Sequence, residues 1–203
     1  MKIEETDEWK EYLSYQPNQR KKHSDLIGKA LVQAYIRLDE DLRGLKECGI
    51  MDESGCTLVC VIITPSHVVC ANVGDSRCVL GRKHEVVAMT EDHKPSCSEE
   101  KLRIEKAGGF VRFDRVNGEL AMSRAIGDFR YKHRTELEIH EHLVICLPDI
   151  SIQERTKDDE TLVLACDGVW DVISNEEVNY SDLSSTALTP LPAGRAVRDQ
   201  HRA

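Results

Sequence analysis

From residue 24 onward the apolar positions fall at helical spacing: Ile27, Leu31, Ala34 with Tyr35, Leu38 and Leu42 recur every three or four residues. That period predicts one amphipathic helix lying on a sheet. Ser24 is placed to cap its start and Gly44 to stop it. Residues 1–23 carry no such period: they are polar, mixed in charge and broken by Pro17-Asn18, and no element is assigned to them. After residue 55 the pattern changes to short apolar runs at 56–63, 68–73, 77–80 and 85–89, split by Pro65-Ser66, Gly74-Asp75 and Gly81-Arg82-Lys83. These predict strands of an antiparallel meander, with faces covered by helices or by a second sheet because the runs are so uniformly apolar.

The next stretch, 90–95, is polar and closed by Pro95, and is read as a surface loop. Ser96 and Glu99 have capping-box spacing for a helix through Ala107, ended by Gly108-Gly109. Residues 110–113 and 119–122 are read as a hairpin across 114–118, where Asn117-Gly118 is the turn signal. Residues 129–142 are charged and rich in histidine and predict an exposed excursion, with His140-Glu141-His142 as a solvated strand edge rather than a zinc site. The run at 161–165 is uncharged, which predicts a central strand buried on both faces. It ends in Asp167-Gly168, with Asp171 four residues on.

Composition narrows the class. The chain has 203 residues, of which 40% are hydrophobic, enough for one domain with a core. A net charge of -9 and no basic run longer than Arg20-Lys21-Lys22 argue against a nucleic-acid partner. No apolar run reaches the length of a membrane span, and the N-terminal residues lack the apolar core of a signal peptide, so a soluble chain of the cytoplasm or nucleus is expected, with no membrane partner. Eight cysteines without a Cys-x-x-Cys pair are read as core packing residues in a reducing compartment.

Candidate chemistry centres on Asp167. Gly168 permits a sharp turn and leaves its carbonyl open to an ion, and Asp171 falls on the same side if a helical turn follows. Hard oxygen ligands on one turn suit Mg2+ or Mn2+. The alternative, an aspartate that merely caps the next turn, is outweighed by what the other stretches add.

Those stretches are Ser54-Gly55-Cys56-Thr57, Asn72-Val73-Gly74-Asp75-Ser76-Arg77, Asp92-His93-Lys94-Pro95, Gly108-Gly109, the run from Val116-Asn117-Gly118 to Ala125-Ile126-Gly127-Asp128, Pro148-Asp149, and Asp167-Gly168-Val169-Trp170-Asp171. In this order, over residues 24–177, they resemble the metal-dependent protein serine/threonine phosphatases of type 2C. The resemblance implies an α+β fold, an α-β-β-α sandwich of two antiparallel sheets flanked by helices. It implies hydrolysis of phosphoserine and phosphothreonine in phosphoprotein substrates. Asp167 would bridge two Mg2+ or Mn2+ ions that activate the attacking water. By the same resemblance Asp171 and Asp92 would hold a weaker metal together with Asp167, and Asp128 would stand behind the ligands. Asp75 and Arg77 are read instead as a turn aspartate and a strand arginine with internal hydrogen bonds, and Ser123 and Arg124 as framework. A haloacid-dehalogenase-type site is rejected because Ala165 stands where its nucleophilic aspartate is needed.

The departures set a further expectation. The family's Asp-Gly-His-Gly-Gly segment and final Asp-Asn motif have no counterpart, since Asp167-Gly168 is the one Asp-Gly in the sequence. Ser174 to Glu177 looks like a capping box, yet no helical period follows Val178. The chain is therefore read as a polar segment at 1–23, a partial phosphatase domain at 24–178 that is incomplete at both ends, and a divergent, disordered tail at 179–203. Weak metal binding, little turnover and association through exposed sheet edges are expected. The alternative is a catalytically dead phosphatase-like domain that binds phosphoproteins or regulates an intact phosphatase.

Overall fold

The computed structural model describes residues 1–49 and 53–177; Val178 and the tail assigned to 179–203 lie outside them. The expected long helix is α2 (Ser24–Glu47), which buries Leu26, Ile27, Ala30, Leu31, Ala34 and Tyr35 along one face. Its ends differ from expectation. Ser24 is already helical and its side chain caps nothing, because a 3-10 turn over Arg20–His23 leads straight into the helix. Gly44 is interior; the stop is Gly49, at φ +70, whose N–H donates to the Lys46 carbonyl. Residues 1–23 also hold an element the sequence did not disclose, helix α1 (Asp7–Ser14), capped by the Thr6 hydroxyl, which accepts from the Trp9 N–H. Trp9 and the buried Tyr12 join α1 to the core that α2 forms.

That core lies on the first sheet. Strands β1 (Gly55–Cys56), β2 (Leu58–Ile63) and β3 (His67–Val73) follow α2. β2 and β3 pair antiparallel with Cys60 opposite Ala71, and β3 pairs on its other side with a later strand, Ala71 facing Ile150. Alternation along β3 sends Val69, Ala71 and Val73 to the helices and Val68 and Cys70 to the opposite face, so β3 is buried on both faces. The Tyr35 hydroxyl, deep under α2, donates to the Ala71 carbonyl at 3.0 Å.

The meander breaks after β3. Strands β4 (Arg77–Arg82) and β5 (Glu85–Ala88) pair with each other, but neither pairs with β3; they belong to a second sheet. The crossing is Gly74 to Ser76. Gly74 sits at φ +100, and a Cβ there would lie 2.3 Å from Thr57 Cγ2, so the corner demands glycine. Val68 and Cys70 meet Cys78, Leu80 and Met89 between the sheets. The expected α-β-β-α sandwich is present, with α1 and α2 outside one sheet.

Between the sandwich strands runs a smaller unit. It holds α3 (Ser98–Lys106), β6 (Val111–Arg112), β7 (Arg115–Val116) and β8 (Ile126–Gly127), the last paired with β1. Ile104, Ala107, Val116, Ala125, Tyr131 and Val144 form its core. The Ser96–Glu99 capping box does not form: α3 starts at Ser98, and the Ser96 N–H donates to Asp114 Oδ1. The hairpin is also shorter than expected. Phe113 and Asp114 turn at φ 52 and 55 between β6 and β7, while Asn117 and Gly118 make a second turn. Residues 129–142 are not simply exposed, since Phe129, Tyr131, Lys132 and His142 are buried. His140 and His142 sit on a 3-10 turn and its end, one exposed and one buried, not on one face of a strand.

The chain returns through β9 (Asp149–Glu154), which completes the first sheet beside β3, and β10 (Asp159–Ala165), which joins the second sheet beside β4. β10 is a correction. Among the described residues it is an edge strand paired only with β4, and Leu164 is 41% exposed. A short apolar run tells how greasy a strand is, not how many neighbours it has. On the outer face of the second sheet Val79, Val86, Val163 and Ala165 pack with Trp170 of α4 (Asp167–Trp170). Of the cysteines, Cys70, Cys78 and Cys146 are buried as expected of packing residues, but Cys48, Cys56, Cys97 and Cys166 are exposed. Among the described residues no helix is long and apolar enough to cross a membrane.

Candidate functional site

Asp167 opens the single turn α4 at the end of β10. Its Oδ1 accepts the Gly168 N–H at 2.8 Å, and no side chain caps the turn, so Asp167 is its first helical residue rather than its cap. Both Asp167 and Gly168 are exposed. The turn is held from below by Trp170, buried against Val79, whose Nε1–H donates to the Ala165 carbonyl at 2.7 Å. Asp171 follows, its N–H bonded to the Asp167 carbonyl.

Asp92 comes from the polar loop between β5 and α3. Both of its carboxylate oxygens are taken by Arg77 at the start of β4: Nε to Oδ1 at 2.6 Å and Nη2 to Oδ2 at 3.0 Å. The Asp92 hydrogen bonds hold the Arg77 charge most firmly, and Asp171 and Asp75 add to it. Asp75 has its own partner, Lys94, at 2.5 Å. The internal bonds expected of Asp75 and Arg77 are therefore both made. Asp128 stands elsewhere, on the β1–β8 pair. It sits at φ 50 with its carboxyl filling the space beside Gly55, and burial pushes its pKa up although Lys132 and Arg130 oppose this.

The structure thus pairs Asp92 with Arg77, whose charge Asp171 also supports, leaves Asp167 and Gly168 on the exposed turn next to Asp171, and sets Asp128 where the Lys132 and Asp39 charges reach it. Among the described residues no three His, Cys, Asp or Glu side chains converge on a point where they could share an ion. With both oxygens of Asp92 engaged by a guanidinium, these residues do not fit a closed metal centre, which needs several free oxygen donors.

Behind the site lies a network the sequence did not disclose. His93 is 4% exposed, and its Nδ1 accepts the Gly74 N–H at 3.0 Å. An acceptor nitrogen carries no proton, so Nε2 is the N–H, and it donates to Asp149 Oδ2 at 3.0 Å. Arg124 donates to Asp149 Oδ1 at 2.7 Å and grips Glu100 Oε1 through Nε and Nη2. Arg103 reaches Glu100 Oε2 at 2.8 Å. Burial alone would push the Glu100 pKa up; the Arg124 hydrogen bonds and the Arg103 charge outweigh it and leave it lowered. Ser123, fully buried, donates to the His93 carbonyl, the framework role expected of it. The one sequence signal for this network was the Pro148-Asp149 and His93 motif positions.

The His93 hydrogen bond, with help from Arg124, draws the Asp149 pKa down from 3.8 to about 2. A carboxylate depressed in the folded state stabilises it above the unfolded value, and that part is lost as pH falls through the folded one. Stability should therefore drop between about pH 4 and about pH 2. The drop is softened because the Asp149 side chain is 59% exposed. Urea midpoints should show a smaller acid loss in Asp149→Asn than in the parent chain; equal losses would refute this.

Residues 6–180 match the protein phosphatase 2C family model. Protein phosphatase ppm-1.A of Caenorhabditis elegans is 44% identical over 154 residues, 75% of this chain and 32% of that protein. Protein phosphatase 2C homolog 3 of Schizosaccharomyces pombe is 52% identical over 127 residues, 63% of this chain and 30% of that protein. The chain spans about a third of the length of these curated relatives. The crystal structure of serine-threonine phosphatase 2C from Toxoplasma gondii superposes with a TM-score of 0.72 over 87% of this chain and 63% of that one, and at 23% identity it speaks for the fold alone. With a family match over most of its length and a sandwich that carries the motif residues in order, the chain belongs to the protein phosphatase 2C family.

Proposed function

We propose that the chain is, in kind, a Mg2+- or Mn2+-dependent protein serine/threonine phosphatase directed at phosphoproteins of the cytoplasm, and that its described residues by themselves turn over little phosphomonoester. The observation that carries the second half is the double hydrogen bond from Arg77 to Asp92, which leaves Asp167 and Asp171 without a third carboxylate free to join them. Asp167, Asp171 and the Gly168 carbonyl are the groups that would hold a metal, while Asp128 packs beside Gly55 on the β1–β8 pair.

The test is Mn2+-dependent hydrolysis of p-nitrophenyl phosphate by the whole chain, beside Asp167→Asn, once a melt shows cooperative folding. Rates equal to those of Asp167→Asn support the proposal. Turnover that Asp167→Asn abolishes would sink it.

The reading of a phosphatase-like domain that pairs with an intact phosphatase gains support from the strand edges. Among the described residues β2, β9, β5 and β10 each pair on one side only, and such edges recruit strands from other chains. Sedimentation of the chain should show association rising with concentration; a monomer throughout would remove that reading.

A further inference from the structure

Two hydrophobic cores meet beside the second half of α2 and do not close on each other. Cys146 belongs to the core under α1 and α2, while Val144, two residues earlier, belongs to that of the smaller unit. At this seam lies a cavity of about 250 Å³, just under the size of sites that take drug-sized ligands. Ile36 of α2 and Ile139, Val144 and Ile145 of the returning chain give it apolar walls. Four charged side chains line it too, and two of them cancel, since Asp39 and Lys132 are paired at 2.7 Å. Glu40 is exposed, where solvent screens it. Arg43 is the cation left over. Its guanidinium rests on the Phe129 ring at 4.6 Å and sends one long bond of 3.5 Å from Nη1 to the Lys132 carbonyl, and among the described residues no carboxylate pairs with it.

His142 lines the same cavity at 9% exposure. Its Nδ1 is buried without a partner, a state rare enough in a folded chain to call for a reason. Burial pushes the His142 pKa below the usual histidine value, and the Arg43, Lys132 and His133 charges push the same way against Asp39. The neutral ring carries one proton, and with no acceptor at Nδ1 that proton belongs on Nε2. A guanidinium presents two parallel N–H groups to a carboxylate, and Nε2–H adds a third donor. A dianionic phosphate would call for a second unpaired cation, which Lys132, held by Asp39, does not supply. We propose that this cavity binds a small organic monocarboxylate, its carboxylate held by Arg43 and His142 and its short apolar tail laid against Ile36, Ile139 and Val144. The site shares no residue with the stretches that carry Asp92 and Asp167, so it stands independently of the phosphatase reading.

The probe is hexanoate, titrated into the isotope-labelled whole chain and followed through the imidazole nitrogen resonances, with the His142 signal identified by its absence from His142→Phe. Hexanoate should shift that signal to saturation, whereas hexylamine, with the same tail and the opposite charge, and inorganic phosphate should not. No saturable shift with hexanoate, or an equal one with either control, overturns the proposal. Calorimetry should find hexanoate binding weakened about tenfold in Arg43→Gln, which loses a charge-assisted fork, and about fivefold in His142→Phe, which loses one neutral donor. Unchanged affinity in either variant overturns it as well. Should Arg43→Gln lose its cooperative melt, Arg43→Lys keeps the charge without the fork and should weaken binding by a smaller factor; no change there counts equally against the proposal. His142→Phe also tells a ligand-holding ring from a structural one. It removes an unpartnered buried nitrogen, so the empty variant should melt at or above the temperature of the parent. A lower melt would show that His142 serves the fold and overturn its assignment to a ligand.

Discussion

Asp39→Ala is expected to destabilise the chain by about 3–5 kcal/mol, the usual cost of stranding one partner of a buried ion pair. Asp39 projects from the buried face of α2, and its Oδ1 accepts from Lys132 Nζ at 2.7 Å and from the Gly127 N–H at 2.8 Å. The two side chains are 6% and 3% exposed. Without Asp39 the Lys132 ammonium keeps only the Ala125 carbonyl at 2.8 Å, and Gly127, already at φ +79, loses the acceptor of its N–H. Both are buried donors that lose an acceptor, and the nearby Asp128 carboxyl offsets the loss at Lys132 only in part, so the penalty exceeds the worth of the pair itself. Urea unfolding should show the midpoint falling with the slope unchanged. The isosteric double replacement Asp39→Leu with Lys132→Met should recover much of the loss, because two apolar groups of similar size remove the charge and its partner together. A midpoint for Asp39→Ala close to that of the parent would show that water reaches Lys132 and that the pair contributes little.

Neither member of that pair was legible in the sequence, and the reason is physical. Ile27, Leu31 and Tyr35 announced α2 because burial repeats with the helical period, but an aspartate in the same stripe looks like an interruption until its partner, 93 residues away, is brought to it. The same holds for Arg77 and Asp92. The sequence indicated that Arg77 would be hydrogen-bonded internally and, through the family resemblance, that Asp92 belonged to a site; that each is the other's partner depends on where β4 and the following loop meet. The two sheets show a different limit. Four apolar runs with turns between them fit a meander or a sandwich equally, and the choice is made at Gly74, whose positive φ turns the chain out of one sheet and into the other. Helix α1 is not legible in the sequence because Trp9, Tyr12 and Leu13 are its only apolar residues among charged neighbours, too few to set a period against.

Glu100→Ala should be about as damaging, about 3–5 kcal/mol, for the inverse reason: it strands two buried guanidiniums instead of one ammonium. Glu100 lies at 6% side-chain exposure between Arg103 and Arg124, at 12% and 14%. Once it is gone the two cations repel each other across the gap. Glu100→Gln keeps the shape and one acceptor and should cost less. The consequence reaches the candidate site through a continuous chain of bonds. Arg124 holds Asp149, Asp149 accepts the Nε2–H of His93, and His93 Nδ1 receives the Gly74 N–H at the corner between the sheets. His93 is next to Asp92, so a loosened Arg124 releases the loop that offers Asp92 to Arg77. Hydrogen exchange at the Gly74 amide should therefore quicken in Glu100→Gln, which stays folded, while amides of α1 remain protected. A cycle combining Glu100→Gln with His93→Asn should show coupling of about 0.5–3 kcal/mol, as expected for members of one network. Additivity of the two changes would mean that α3 and the Asp92 loop are independent supports, and that Arg124 steadies β9 without steadying the site.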